Sequence, residues 1–378
     1  MAEVHANRRD RLRERCAAMG GAAALVSRPS NVRYLSGAAP AGAVVLVLGA
    51  SGGSGGSSGE DLLLCPAPLS GRPDEGQPDD ALRTRVLPPG SADPAVAAAE
   101  HMAAVGGADS LAVEEHDLTV ARHRALGAAA PGLRLADLGG AVEQLRYVKD
   151  EEEISCLRIA AEIADHALGE LLESILVGRT ERHLALELER RLVDHGADGR
   201  AFPTSVATGP DAGRPGHRPT DRRVEEGDFL SVCLGAVYRG YRCEIGRTFV
   251  IGTSPAAWQI ELYDLVFAAQ RAGREALVPG VLCGEVDRVA RQVLGAAGFT
   301  EGQPTLTGHG VGLEIDEDPK LAPSAMGKLD ACVPVTVEPG VHLPGRGGVR
   351  IDDTLVVRPE ADGGPELLTI TTKELLAL

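Results

Sequence analysis

The chain has 378 residues, enough for two domains and a sizeable core. Its 38 Lys and Arg against 54 Asp and Glu leave a formal charge of −16, which argues against a nucleic-acid backbone or an anionic membrane as the main partner. Aromatic residues make up only 3%, too few for a base-stacking platform, and the 47 glycines follow no Gly-X-Y period, which excludes collagen.

The apolar runs are short. The stretch 41–50 cannot span a bilayer, and residues 1–20 carry arginines but no signal-type apolar run. A cytoplasmic location is therefore expected. The seven cysteines form no CxxC pair and no regular framework, so reduced thiols are the default.

In chain order, the pattern predicts a helix over 8–20 and strands over 22–27 and 41–48. Residues 51–59 are Ser/Gly low complexity and read as a flexible loop. A strand resumes at 62–64, and 66–94, rich in Pro, Asp and Gly, reads as surface loop. A helix over 95–105, a strand at 111–114 and a helix over 118–128 complete an expected α/β domain over about 1–140. The second domain, 145–378, opens with a helix over 151–177 whose acidic first turn suits the positive end of the helix dipole. A second helix, 181–195, follows. Residues 229–237 and 241–250 are strand-like and flank Arg239-Gly240, a hairpin turn. Helices return at 256–276 and 284–297, and 303–378 is strand-rich. The expected class for this half is α+β, a mostly antiparallel sheet with helices on one face.

Several polar residues sit where a plain core would not place them. Glu338 ends an apolar strand, Asp352 ends another, and His309 is flanked by glycines. Glycines there let the backbone fold tightly or approach a ligand. A two-residue turn at 239–240 pairs Cys233 with Gly246 and makes Glu244 the diagonal neighbour of Cys233 on one face. Taken singly, each has an ordinary reading: a strand cysteine as core, a strand glutamate or Arg350 as surface charge. Together His, Glu and Asp from separate strands make an N/O cluster of the kind that binds Mn, Co, Fe or Zn in hydrolases. A thiol nucleophile at Cys233 beside His309 is another reading of the same group.

The ordered motifs carry a resemblance. Residues 145–154, Phe202-Pro-Thr-Ser-Val-Ala-Thr-Gly-Pro210, Arg218-Pro-Thr-Asp-Arg222, Gly246-Arg-Thr248, Gly308-His-Gly-Val-Gly-Leu-Glu314, Thr336-Val-Glu-Pro-Gly340 and Gly347-Gly-Val-Arg-Ile-Asp352 resemble the pita-bread metallopeptidases: aminopeptidase P, prolidase, creatinase and methionine aminopeptidase. Ser30-Asn-Val-Arg-Tyr-Leu-Ser-Gly37 is similar to the amino-terminal domain of the aminopeptidase P, prolidase and creatinase branch. The resemblance implies an α/β amino-terminal domain followed by a curved α+β pita-bread domain, and a homodimer. It implies five ligands to two divalent ions: two Asp, one His and two Glu. His309 and the first Glu, Glu338, match. The first Asp position holds Cys233, the second Glu244, and the last Glu position holds Asp352. The family's Pro-His slot holds Gly216, with His217 one place later, and the slot of a second His after Gly-His-Gly holds Asp316.

Asp→Glu and Glu→Asp keep the charge but move the oxygens by about one methylene, on the order of 1 Å, where metal distances tolerate only ~0.2 Å. Asp→Cys replaces a hard bidentate group by one soft sulfur. The expectation is a hydrolase of a small amide or C–N bond acting on a small molecule or short peptide. Its metal centre is altered, with no ion or one divalent Zn, Mn or Co. Cys233, Glu244, His309, Glu338 and Asp352 are the candidate ligands; His217, His309 and Glu338 the candidate catalytic groups; Asp316 and Arg350 the candidate substrate contacts. The alternatives are an inactive relative acting as a binding module, then an ordinary Xaa-Pro metallopeptidase.

Overall fold

Continuous apolar runs favour strands covered on both faces, and three of them, Ala23–Val26, Val44–Leu48 and Leu62–Cys65, are buried at every position. The computed structural model describes residues 2–38, 41–48, 61–66, 82–91, 93–106, 108–174 and 176–378. The loop expected at 51–59, and residues 67–81 and 92 of the loop expected at 66–94, lie outside them. The chain divides into two units, Met1–Arg146 and Tyr147–Leu378.

In the first unit the three buried strands lie side by side in a six-stranded sheet that also contains Arg83–Val86, Ser110–Val113 and Arg134–Asp137. The pairing is mixed: Ala23–Val26 runs antiparallel to Val44–Leu48 and parallel to Ser110–Val113. Several elements differ from the sequence expectation, among them an unexpected helix Ala141–Arg146. The first helix is Ala2–Ala18 rather than 8–20. Pro29–Ser36 is a helix, started by Pro29 in its first turn and stopped by Gly37 at φ 75. Arg83–Val86, inside the expected loop, and Arg134–Asp137 are sheet-edge strands. Both are exposed or half-exposed, so neither carries an apolar signature.

The second unit begins with the helix Glu151–Leu172. Asp150 accepts from the Glu153 N–H, while the Glu153 side chain accepts from the Asp150 N–H, a capping box. The helix ends at Leu172, short of the expected 177. Helix Glu181–Asp194 starts on a Thr180 cap. The named strand pairings of this unit are all antiparallel. Arg239 (φ 49) and Gly240 (φ 84) make the two-residue turn, whose primed geometry matches strand twist. The register expected from it holds, with Tyr238 opposite Tyr241 and Cys233 opposite Gly246. Strands Ser205–Thr208, Phe229–Leu234 and Ile245–Val250 form one sheet; Gly308–Gly310, Glu317–Leu321, Pro334–Val337, Asp353–Val356 and Glu366–Leu367 form another. Helices Ala257–Glu275 and Cys283–Ala296 supply Leu262, Val266, Ala269 and Leu294 to a core with Phe229, Val341 and Ile351. Burying such side chains is worth about 1.5–3 kcal/mol each, which fixes the strands whose polar ends build the site.

Candidate active site

Two sheets of the second unit, those of Ile245–Val250 and Asp353–Val356, meet in one transverse row. Cys233 lies opposite Gly246 in the hairpin, and Gly246 bridges in turn to Asp352. Val337 faces Asp353 in the neighbouring sheet. Continuing that register brings Glu338 opposite Asp352, and the Ile351 N–H reaches back to the Pro339 carbonyl. Gly246 makes the row possible. A Cβ there would lie 2.2 Å from Asp352 Oδ2, so the missing side chain is the space that the Asp352 carboxylate occupies. Glu244, two residues earlier on the same face, is fixed by Thr354: its N–H donates to Thr354 Oγ1 (3.0 Å), whose hydroxyl donates back to the Glu244 carbonyl (2.7 Å).

His309 enters from the Gly308–Gly310 strand. Its flanking glycines serve close chain packing, because a Cβ at Gly308 would meet the Thr336 carbonyl at 2.0 Å and one at Gly310 the Asp318 carbonyl at 2.2 Å. The His309 N–H donates to Thr336 Oγ1 (3.0 Å), and Thr336 Oγ1 also lies 3.1 Å from Glu338 Oε1. Neither Thr336 nor Thr354 was anticipated. Thr336 sits two residues before Glu338, on the same face of the strand, which is the signal that would have found it.

The side chains converge. His309 Nε2 is 3.1 Å from Glu338 Oε1 and 3.6 Å from Glu244 Oε2, and its Nδ1 is 3.1 Å from the Gly310 carbonyl. The Cys233 thiol donates to Glu244 Oε1 at 3.1 Å and lies 3.4 Å from Asp352 Oδ2. Arg350 spans the group: Nε reaches Asp352 Oδ1 at 2.9 Å, and Nη2 reaches Glu244 Oε1 at 3.0 Å and also contacts Glu338 Oε2. All five candidate ligand residues are buried, whereas the Arg350 side chain is 30% exposed.

These contacts separate the protonation states. Burial opposes charge on Glu338, but Arg350 and then His309 hold its carboxyl down at about 2. Burial opposes charge on His309 too, yet the Glu338 hydrogen bond and charge, with Glu244, raise it to about 9. Asp352 is pushed up to about 7, by burial first and by the charges of Glu338 and Glu244, against Arg350. Burial and the Glu338 charge also raise Glu244. Burial, then the Glu244 charge, pushes the Cys233 thiol well up. A nucleophilic thiolate at Cys233 is not favoured by these surroundings.

Two other candidates stand apart. His217 Nε2 bonds Glu181 Oε2 at 2.8 Å and lies 3.9 Å from Asp211 Oδ2. Glu181 is fully buried and also accepts from the N–H and hydroxyl of both Thr208 and Thr220, so His217 completes that shell rather than joining the His309 group. Asp316 is more than half exposed and lies 3.9 Å from His309 Nδ1, with Lys320 as its ion partner. Its loop is anchored next door, where the buried Glu317 pairs with Lys149 at 2.8 Å.

Residues 155–359 match metallopeptidase family M24, and residues 8–148 match the creatinase/prolidase amino-terminal domain. The chain belongs to metallopeptidase family M24. It is 38% identical over 235 residues to a Xaa-Pro dipeptidase of Pyrococcus furiosus, a match covering 62% of this chain and 66%, just under two thirds, of that one. It is 35% identical over 272 residues to an uncharacterized peptidase of Bacillus subtilis, covering 72% and 76%. The structure is similar to that of a Xaa-Pro dipeptidase from Bacillus anthracis, with a TM-score of 0.88, 29% identity and coverage of 99% and 100%. It is also similar to a prolidase from Pyrococcus horikoshii OT3, with a TM-score of 0.85, 30% identity and coverage of 98% and 99%. The fold is thus an amino-terminal creatinase/prolidase-type domain followed by the pita-bread domain.

M24 membership implies use of a divalent metal. The donors of this chain fall into two buried triads, each with ligand atoms within 4.8 Å of one another: Glu244–His309–Glu338 and Cys233–Glu244–Asp352, sharing Glu244. The first is a nitrogen and two carboxylates, a set that suits Mn, Co, Fe or Zn. The row that Gly246 leaves open orients the second. The residues present therefore fit a divalent ion at the His309 triad.

Proposed function

We propose that this protein hydrolyses a small amide bond, with Xaa-Pro dipeptides as the first substrate class to examine, and that Glu244, His309 and Glu338 hold one divalent ion. The observation that carries this reading is the convergence of those three side chains from three separate chain segments into one buried triad. A divalent ion bound there supplies electrophilic assistance to an amide carbonyl. The remaining work falls to the chain itself. Arg350, the partly exposed cation of the cluster, is placed to orient a carbonyl or carboxylate of the substrate. Glu338 stays ionised beside it and can orient a water by accepting its hydrogen bond. Asp352, near 7, can hold or release a proton close to neutrality; two carboxyls pushed this far apart divide acid and base roles. The Xaa-Pro dipeptidase relatives support the substrate class. A cytoplasmic protein is supported by seven free cysteines and by the absence, among described residues, of a helix long and apolar enough to cross a membrane. A homodimer is supported by the family resemblance.

The test is hydrolysis of an Xaa-Pro dipeptide by purified protein loaded with Mn, Co or Zn, against the same protein with chelator. Turnover that needs the ion, and is lost together with the bound ion in H309Q, is expected. No turnover with any ion would overturn the reading. A second reading, ion-independent hydrolysis of a small C–N bond, is favoured by Arg350 and His309 already balancing the carboxylates. It predicts turnover of a small guanidino or ureido compound that survives chelation.

A further inference from the structure

The two triads do not offer the same chemistry. Glu244–His309–Glu338 presents one imidazole and two carboxylates, whereas Cys233–Glu244–Asp352 presents a sulfur and two carboxylates. Carboxylate, carbonyl and water sets suit hard ions such as Mg and Mn, while thiolate ligands select zinc-like soft or borderline ions. Resting on the metal reading above, we propose that the Cys233 triad is a second ion position, selective for thiophilic divalent ions such as Zn and Cd and closed to Mn and Mg.

The geometry supports this in three ways. First, the sulfur is aimed at both carboxylates, 3.1 Å from Glu244 Oε1 and 3.4 Å from Asp352 Oδ2. Cys233 is thus a member of the cluster, unlike Cys243, the other buried cysteine of the same hairpin, whose Sγ belongs to neither triad. Second, Gly246 is the space between them. With a Cβ at 246 the Asp352 carboxylate could not lie where it does, so glycine at 246 and the short acid at 352 are one coupled arrangement that turns Asp352 toward the sulfur. Third, Arg350 meets the same two oxygens as the sulfur: its Nε lies 2.8 Å from Asp352 Oδ2 and its Nη2 3.0 Å from Glu244 Oε1, which places a fixed positive charge beside both carboxylates of the triad. Binding breaks the Cys233 S–H bond and forms a sulfur–metal bond; the proton leaves to solvent, as for any metal–thiolate site. No electron transfer is involved. The shared Glu244 makes the two positions adjacent, one indifferent to ion softness and one selective.

The experiment counts ions and looks for sulfur. Protein freed of metal is dialysed separately against Mn, Zn and Co, and bound metal is measured by elemental analysis. The Co form is then scanned for a thiolate-to-cobalt charge-transfer band in the near ultraviolet. The expected result is about one Mn, about two Zn, and a charge-transfer band with Co. C233S should return to about one Zn and lose the band, with second-site Zn affinity down by more than the ~10–100-fold that outer-shell changes alone cost. C233D, which restores a hard donor of similar reach, should admit a second Mn and also lack the band. It keeps the test valid if C233S folds poorly, and C156S, altering a thiol outside the triad, should retain the band. One ion of every kind with no band would overturn the selective second site and leave the His309 triad standing. Two Mn in the unaltered protein would overturn the selectivity. No ion of any kind would overturn this proposal and the metal reading together.

Discussion

Replacing Arg350 by Met keeps the aliphatic stem and removes the guanidinium that touches Glu244, Glu338 and Asp352. Those carboxylates are buried, with side-chain exposures of 7%, 9% and 0%, and only His309 would remain to balance them. Removing one partner of a buried ion pair costs about 3–5 kcal/mol because the other charge is left uncompensated. Arg350 itself is 30% exposed, which moves the figure to the lower end, about 3 kcal/mol. A domain of 150–250 residues shifts by about 2–4 °C per kcal/mol, so the melting temperature should fall by about 6–12 °C near pH 8 with chelator present. The deficit should shrink near pH 5. Loss of Arg350 removes the main influence that lowers Glu338 and Asp352, so both carboxyls protonate more readily and relieve the repulsion. The assay is thermal unfolding at both pH values, repeated with Zn. A deficit under about 1 kcal/mol, or an equal deficit at both pH values, would refute the claim that Arg350 is the internal counter-charge of this cluster.

The metal-free protein should lose stability as pH rises from about 5 to 9. His309, raised from 6.5 to about 9, contributes stability that is complete below 6.5 and gone above 9. Asp352, raised from 3.8 to about 7, has the same sign over the lower window, whereas the depressed Glu338 contributes above 4.5 and loses that contribution as pH falls toward 2. Urea midpoints across this range should therefore decline on the alkaline side, and H309Q should flatten the limb between 6.5 and 9. G246A forces a methyl within 2.2 Å of Asp352 Oδ2 and should cost about 1–3 kcal/mol, the usual penalty of overpacking; an unchanged midpoint would mean that the row is looser than described. E181A strips the acceptor from Thr208, Thr220 and His217. Thr208 and the His217 side chain are the buried groups among these, so with about 1–3 kcal/mol for each buried group left unsatisfied it should cost at least ~2 kcal/mol in urea unfolding.

Much of the architecture was legible because local chemistry and tertiary need agreed. The apolar runs within 22–27 and 41–48 are of strand length and are buried strands, the acidic turn after Asp150 marks a helix start, and Arg239-Gly240 sets a turn whose register places Cys233 opposite Gly246. Elements whose signal is not apolar stayed hidden. Arg83–Val86 and Arg134–Asp137 are strands only because a sheet edge offers them partners, and Pro29–Ser36 is a helix in part because Glu114, far along the chain, accepts the Ser27 and Arg28 N–H groups.

The candidate site divides in the same way. The identities of Cys233, Glu244, His309, Glu338 and Asp352 came from one-dimensional motifs: glycines flank His309, Pro339 follows Glu338, and the other three stand at fixed places in the ordered motifs of the family resemblance. That His217 serves Glu181, that Thr336 and Thr354 fix the ligand-bearing chains, and that Arg350 spans three carboxylates were decided by tertiary structure. Such partners are set by strand-to-strand register and by the demand of each buried charge for a counter-charge, and neither is written in the neighbouring residues. Gly246 joins the two levels. Its place in the hairpin follows from the turn, but its function as the empty space for the Asp352 carboxylate exists only once the second sheet is laid against the first.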